Sequence, residues 1–132
     1  MPAHPRAFFI YLQLLHNKTE QSALFRQMDT AEKIKQMSAT AQRIMPTGGE
    51  AWLFGSQARG TAREDSDWDI LILIDKEGHI TLEDYGKYAY PFQELGWDID
   101  AMVSPIVYTK RDWERSSFTP FYKNVMQDRI RL

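Results

Sequence analysis

The sequence predicts a small α/β or α+β domain in which a β-sheet is layered with helices. Three observations lead to this expectation. The length of 132 residues fits one domain and leaves little room for a second. Short apolar runs bounded by turn residues alternate with longer segments of helical periodicity. One of these runs, at 70–74, is apolar at every position, which is typical of a strand in the middle of a sheet.

The first helix of the domain is predicted over residues 29–45. Asp29 and Glu32 match a capping box, and Pro46 ends the segment together with the glycines that follow it. Apolar residues inside it recur at three-to-four spacing and form one stripe, which consists of Ala31, Ile34, Met37, Ala41, Ile44 and Met45. The short apolar run at 51–54 follows and predicts a buried strand.

A second strand and a second helix are predicted after a polar loop. The strand covers residues 68–74 and has apolar residues on both faces. The helix covers residues 81–95 and opens with a cap formed by Thr81 and Asp84. Because Pro91 lies inside this span, we expect the helix to kink or end close to it.

The remainder of the chain predicts one more strand and two short helices. Gly96 marks the end of the preceding helix, and residues 97–103 are predicted to form a third strand. Pro105 indicates that this strand bends or runs at an edge of the sheet. A helical turn is expected around Trp113, and a last helix is expected to begin at Thr119.

The composition excludes several kinds of site. The chain has no cysteine, so a disulfide scaffold, a thiolate zinc site and a cysteine nucleophile are all excluded. Its three histidines are not at metal-ligand spacing. A formal net charge of −2 and a pI of about 5.9 argue against broad electrostatic binding of nucleic acid. The chemistry must therefore depend mainly on carboxylates, hydroxyls and backbone groups.

Residues 1–28 are expected to form a helical extension to a domain that spans residues 29–132. The apolar stretch at 7–15 is much shorter than the roughly 20 residues that a membrane span needs. Its flanks also differ from those of a secretory signal peptide. We therefore expect a short helix that packs on the domain or on a partner, in a cytoplasmic protein without a membrane segment.

Two carboxylates and a glycine-serine turn lie where one predicted strand ends and the next begins. Gly55 lets the backbone approach a phosphate closely, and the Ser56 hydroxyl can donate a hydrogen bond to it. Asp67 and Asp69 alternate, so a strand places both on one face with Cα atoms roughly 6.5–7 Å apart. Two carboxylates this close repel each other, and a divalent cation such as Mg²⁺ removes that repulsion.

Asp98 and Asp100 form a second same-face pair on the predicted third strand. If this strand lies beside the second, three acidic side chains converge and allow a two-metal arrangement for phosphoryl displacement. The spacing leaves open which of the two residues is the third carboxylate. A lone Asp-x-Asp is usually solvated surface, so the prediction depends on the combination of the turn and the carboxylates in this order.

The run GSQARG at 55–60, followed by SDWDI at 66–70, resembles the signature of the nucleotidyltransferase superfamily that includes DNA polymerase beta. The short chain resembles the minimal nucleotidyltransferase branch of that superfamily, and the run at 120–125 looks like the tail of many such proteins. The resemblance covers roughly residues 29–128. It implies an α+β domain with the palm fold of polymerase beta, in which a small mixed sheet is flanked by helices.

The resemblance also implies roles for individual residues. Gly55 and Ser56 would hold the triphosphate of a nucleotide, and Ser66 would fix the turn before the second strand. Arg59 would either anchor the loop to the fold or reach a phosphate. The catalytic carboxylates, which would also bind two Mg²⁺ ions, would be Asp67, Asp69 and Asp100, with Asp98 as the rival of Asp100.

The activity implied is transfer of a nucleoside monophosphate, with AMP as the first expectation, from ATP or another nucleoside triphosphate to an acceptor hydroxyl. The minimal branch often pairs with HEPN-domain ribonucleases, so this chain would be the antitoxin that adenylylates such a partner. Two alternatives stay open. One is a module of the same fold that binds nucleotide or partner with weak or no catalysis. The other is a small-molecule nucleotidyltransferase similar to the aminoglycoside enzymes, working as a homo-oligomer.

Overall fold

The structure is a computed structural model that describes residues 29–132. The helical extension predicted over residues 1–28 lies outside the described residues. None of the helices between residues 29 and 132 is long and apolar enough to cross a membrane.

The described chain forms a four-stranded sheet with helices on both faces. The strands are β1 (Glu50–Phe54), β2 (Trp68–Ile74), β3 (Val103–Thr109) and β4 (Ile130–Arg131), in the spatial order β3-β2-β1-β4. β1 is antiparallel to β2 and β4, whereas β3 runs parallel to β2. The helices are α1 (Thr30–Ile44), α2 (Ser56–Arg59), α3 (Leu82–Tyr88), α4 (Tyr90–Asp98), α5 (Lys110–Arg115) and α6 (Pro120–Asp128). The predicted α+β class, the mixed sheet and the central position of β2 are confirmed.

The main hydrophobic core covers one face of the sheet, beneath α1 and α4. Ile70 and Ile72 of β2 are fully buried there, together with Met37 of α1 and Phe92 of α4. Burying one such side chain is worth about 1.5–3 kcal/mol relative to leaving it exposed. This layer therefore fixes the position of β2 against the two helices.

A second, smaller core covers the opposite face, beneath α5 and α6. Leu71 and Leu73 alternate with the isoleucines of β2 and pack against Trp113 of α5 and Val125 of α6. Because side chains alternate along a strand, the same alternation places Asp69 on this second face, toward the start of β2.

The position predicted for the third strand is wrong. Residues 97–98 complete α4, and β3 begins only at Val103. Gly96 lies inside α4 and does not end it. A Cβ there would come within 2.9 Å of the Val103 side chain and would also crowd the Ala101 carbonyl oxygen. This glycine permits close approach of the helix to the chain that follows it. The edge position that Pro105 indicated is confirmed, since β3 is the outer strand of the described sheet.

The helix predicted over 81–95 is two helices. α3 ends at Tyr88 and α4 begins at Tyr90, with Pro91 in its first turn, so the predicted break is confirmed. Two elements were not predicted at all, namely the single turn of α2 and the two-residue strand β4.

The predicted helix caps are present in the structure. Asp29 Oδ1 accepts a hydrogen bond from the Glu32 backbone N–H at 2.9 Å, which caps α1. Thr119 Oγ1 accepts from the Tyr122 backbone N–H at 3.1 Å, which caps α6. Each of these bonds satisfies a backbone donor that a helix N-terminus leaves without an intrahelical partner.

Asp84 is expected to stabilise the fold at neutral pH and to lose that effect in acid. Its carboxylate accepts hydrogen bonds from Lys76 Nζ at 2.7 Å and from the Thr81 backbone N–H at 3.0 Å, which lowers its pKa to about 2. Because the pKa is lower in the folded than in the unfolded chain, the stabilisation is complete above about pH 4 and is lost as the pH falls towards 2. We expect Asp84→Asn to lower the Tm at pH 7 and to lower it less at pH 3, as measured by circular dichroism.

The control for Asp84 is Glu83→Gln on the same helix. Glu83 lies 3.6 Å from Lys87 in an exposed pair, and such pairs contribute little to stability. We expect this variant to melt close to wild type at both pH values. A Tm difference for Asp84→Asn that is equal at pH 7 and pH 3 would contradict the assignment.

Candidate functional site

The candidate site lies where β1 ends and β2 begins. Phe54, the last residue of β1, pairs with Asp69, so Gly55 follows directly beside that carboxylate. On the other side of β2, Asp69 pairs with Ser104 of β3. Paired residues on neighbouring strands project to the same face of a sheet. Asp69 and Ser104 are therefore neighbours, and Asp67 continues the same alternation.

Gly55 adopts a conformation that brings its backbone against Asp69. Its φ of 76° and ψ of −158° belong to a region that essentially only glycine occupies. A Cβ at this position would overlap Asp69 Oδ2. α2 begins immediately afterwards, at Ser56. The glycine-serine turn and the carboxylate predicted from the sequence therefore form one contiguous site.

The two carboxylates lie in different surroundings. Asp67 is exposed, whereas Asp69 is partly buried. Burial raises the pKa of Asp69, and the negative charge of Asp67 raises it further, while the positive charge of Arg59 acts in the opposite direction. A partly desolvated pair of anions that repel each other is stabilised by a bound cation.

The donor set of this site fits a hard divalent cation. Mg²⁺ in proteins usually binds one or two carboxylates together with water and substrate phosphates. Asp67 and Asp69 supply the carboxylates, and the turn that begins at Gly55 follows directly beside Asp69 with backbone N–H groups that suit a phosphate. Within residues 29–132, no group of three or more His, Cys, Asp and Glu side chains is arranged to hold a metal ion. Phosphate and water would therefore have to complete the ligand set.

Asp98 and Asp100 do not lie on the strand where the sequence analysis expected them. Asp98 is the last residue of α4, and Asp100 lies in the following turn with a φ of 54°. Both precede β3, and the residue in register with Asp69 is Ser104. The expected convergence of three carboxylates on this face is not found, and a hydroxyl takes the position beside Asp69.

Ser66 and Gln57 hold the loop that leads into β2. Ser66 Oγ accepts a hydrogen bond from the Arg63 backbone N–H at 2.8 Å, and Gln57 Nε2 donates to the Ser66 carbonyl oxygen at 3.2 Å. These two contacts define the path of the chain immediately before Asp67. They agree with the turn that the resemblance implied for Ser66.

Arg59 makes an ion pair with the C-terminal part of the fold. Its Nη1 donates to Asp128 Oδ2 at 2.6 Å, which joins α2 to the last residue of α6. Of the two roles left open by the sequence, this contact corresponds to anchoring of the loop. The Arg59 side chain is nevertheless 48% exposed, so solvent reaches it.

The pair of Arg59 and Asp128 is expected to contribute little to the free energy of unfolding. Exposed ion pairs are typically worth about 0.2–1 kcal/mol, because solvent screens the charges. We expect a double-mutant cycle of Arg59→Ala and Asp128→Asn, measured by urea unfolding, to give a coupling free energy in that range. A coupling above about 2 kcal/mol, the size expected only for well-desolvated pairs, would contradict this estimate.

A cavity of about 350 Å³ lies next to this site, between the start of α1 and the loop that leads into β2. Its lining includes Lys33 of α1, Arg63 and Trp68. Trp68 lies between Asp67 and Asp69 in the chain and is buried toward the main core, so its side chain points away from the carboxylates. The cavity shares Gln57 with the loop of the site, but Asp67 and Asp69 are not among its lining residues.

Ser104 is the residue of the site that the sequence analysis missed. The signal for it was the run Ile106-Val107-Tyr108-Thr109, which is richer in β-branched and aromatic residues than 97–103 and predicts a strand in its own right. A strand extended backwards through Pro105 from this run would have included Ser104.

Comparison with known proteins assigns the chain to a family. The family model of the nucleotidyltransferase domain matches residues 31–132. The chain therefore belongs to the nucleotidyltransferase domain family. The matched span contains the glycine-serine turn, both carboxylates and all four strands described above.

A curated protein and a solved structure are similar to parts of the chain. A "putative protein adenylyltransferase" of Methanocaldococcus jannaschii is 40% identical over 58 residues, which are 44% of this chain and 57% of that protein. The match thus spans little more than half the length of this relative. The crystal structure of a toxin-antitoxin with AMP-PNP superposes with a TM-score of 0.52 and 20% sequence identity, and covers 74% of this chain and 69% of that chain. The second likeness shows that the fold is shared.

Proposed function

We propose that the protein transfers a nucleoside monophosphate from a nucleoside triphosphate to an acceptor hydroxyl. The observation that carries this proposal is the close approach of Gly55 to Asp69, where a Cβ on Gly55 would overlap Asp69 Oδ2. It joins a turn suited to phosphate and a carboxylate pair suited to a divalent cation in one place. Membership of the nucleotidyltransferase domain family supports the same reaction class.

The residues of the site would position the reactants. Backbone N–H groups of the turn and the Ser56 hydroxyl would donate hydrogen bonds to phosphate oxygens. Asp67 and Asp69 would hold Mg²⁺, which when bound would neutralise charge on the phosphates. The acceptor oxygen would form a bond to the α-phosphorus, the bond from that phosphorus to the bridging oxygen would break, and pyrophosphate would leave with that oxygen. The hydroxyl proton would pass to water.

ATP is the proposed donor, and a protein is the proposed acceptor. The similar protein from Methanocaldococcus jannaschii is named for protein adenylyltransfer, and the similar solved structure is a toxin-antitoxin with an ATP analogue. We therefore propose that the chain adenylylates a hydroxyl of a partner protein and acts as its antitoxin. The resemblance to the minimal nucleotidyltransferase branch makes a HEPN-family protein the proposed partner.

Transfer of label tests this proposal. The purified chain would be incubated with Mg²⁺, the protein encoded next to it, and ATP labelled at the α-phosphorus. We expect label on the partner protein in this reaction, and none when the ATP is labelled at the γ-phosphorus. Label from the γ-position alone, or no label from either ATP with a folded partner, would overturn the proposed reaction.

A nucleotide-binding module with weak or no catalysis is the second candidate. It is favoured by one observation, which is that Ser104 and not a carboxylate lies in register with Asp69. In this case calorimetry would detect binding of MgATP that is lost in Asp67→Ala, while no label would reach a partner. Binding and transfer measured on one preparation therefore separate the two candidates.

A further inference from the structure

β3 contributes Ser104 to the face of the sheet that carries Asp67 and Asp69. It is in register with Asp69, and its Oγ lies 3.5 Å from Asp67 Oδ2. An ionised carboxylate can only accept hydrogen bonds, so the serine hydroxyl is the donor in this contact. The distance is long for an O–H···O bond, so the hydroxyl lies beside the carboxylate without binding it tightly.

The acidic side chains that the protein supplies on this face balance the charge of one divalent cation. Asp67 and Asp69 together carry two negative charges when both are ionised. Among the described residues, no third acidic side chain joins them in a group able to hold a metal. Sites with two metal ions hold them about 3.5–4 Å apart, where the ions repel each other strongly unless anionic ligands lie between and around them. The hydroxyl of Ser104 adds no negative charge.

We propose that the site binds a single divalent cation together with the nucleotide, and that the neutral side chain at Ser104 is what limits it to one. Asp67 and Asp69 provide the carboxylate ligands, and the phosphates of the nucleotide provide further ones. Ser104 acts by occupying the β3 side of the site, next to Asp67, with a side chain that supplies no anionic ligand for a second cation. This inference rests on the proposed function and specifies the site on which that function depends.

The number of ions per chain tests the inference without measuring transfer. The wild-type chain would be dialysed against Mn²⁺ and α,β-methylene ATP, in which the bond to be broken cannot be cleaved. Free Mn²⁺ would be counted by electron paramagnetic resonance, and nucleotide by absorbance. We expect one Mn²⁺ and one nucleotide per chain. Two Mn²⁺ per nucleotide would overturn this inference and leave the proposed function standing, whereas no bound nucleotide would overturn both.

Two variants of Ser104 test whether this position sets the count. We expect Ser104→Asp to bind two Mn²⁺ per nucleotide, because it adds an anionic ligand beside Asp67. Ser104→Asn has nearly the same shape without the charge, and we expect it to bind one. An equal count in the two variants would contradict the role of Ser104. If Ser104→Asp does not fold, the wild-type count decides the question alone.

Discussion

Asp69→Asn is expected to abolish nucleotidyl transfer while the protein stays folded. The change removes one of the two carboxylates that would hold the cation, and cation stabilisation of phosphoryl transfer is worth several kcal/mol. Since about 1.4 kcal/mol corresponds to a tenfold change in rate, we expect a loss of about 100-fold or more in label transfer.

The same variant is expected to be at least as stable as wild type without divalent ions. Burial and the charge of Asp67 both raise the pKa of Asp69, which means that its ionised form is disfavoured in the folded protein. Asparagine removes that unfavourable charge. We therefore expect the Tm of Asp69→Asn in EDTA to equal or exceed that of wild type, as measured by circular dichroism.

Asp65→Asn is the matched control for Asp69→Asn. Asp65 is exposed in the loop before β2 and lies outside the motif, although it alternates with the two candidate ligands. We expect this variant to transfer label at the wild-type rate. If Asp69→Asn retained wild-type transfer, or if Asp65→Asn lost transfer equally, the assignment of the carboxylate site would be wrong.

Gly55→Ala is expected to reduce both stability and nucleotide binding. The backbone conformation at this position costs a residue with a Cβ about 1–3 kcal/mol. The new Cβ would also overlap Asp69 Oδ2, so either the turn or the carboxylate must move. We expect urea unfolding to show a loss of about 1–3 kcal/mol and calorimetry to show greatly weakened binding of MgATP.

Gly60→Ala is a control for a glycine of positive φ without the overlap, in the less strained left-handed conformation with a ψ of 18°. Gly60 has the same φ of 76°, but a Cβ there would meet no atom within 4 Å. We expect this variant to lose about 1–2 kcal/mol of stability and to bind MgATP as wild type does. Equal binding by the two alanine variants would contradict the idea that close contact between Gly55 and Asp69 builds the site.

Local signals in the sequence were sufficient to predict much of the fold. The caps at Asp29, Thr81 and Thr119 and the continuous apolar run at 70–74 are determined by neighbouring residues, so these elements could be predicted. The glycine-serine turn and the alternating carboxylates were predicted for the same reason. Their proximity followed from adjacent strand ends, and the pairing of Phe54 with Asp69 confirms that geometry.

The errors arose where tertiary contacts decide the local structure. Gly96 has the sequence pattern of a helix end, but it lies inside α4, and a glycine is required there because the chain at Val103 packs too closely for a side chain. Because of this error, the third strand was predicted to begin at residue 97, six residues before its actual start at Val103. Asp98 and Asp100 were therefore expected beside Asp69, where the structure places Ser104. The short strand β4 depends on pairing with β1, which the sequence near Ile130 does not reveal.

The most direct test of the central claim is to locate the bound nucleotide and cation on the protein by NMR. Mn²⁺ with α,β-methylene ATP would be added in small steps to the isotope-labelled wild-type chain, and broadening of backbone amide signals would be followed. The claim predicts that the signals of Gly55, Ser56 and Asp69 broaden first, while those of Thr30 and Lys33 beside the cavity stay sharp. Broadening that begins at Thr30 and Lys33 and spares Gly55 and Asp69 would contradict it.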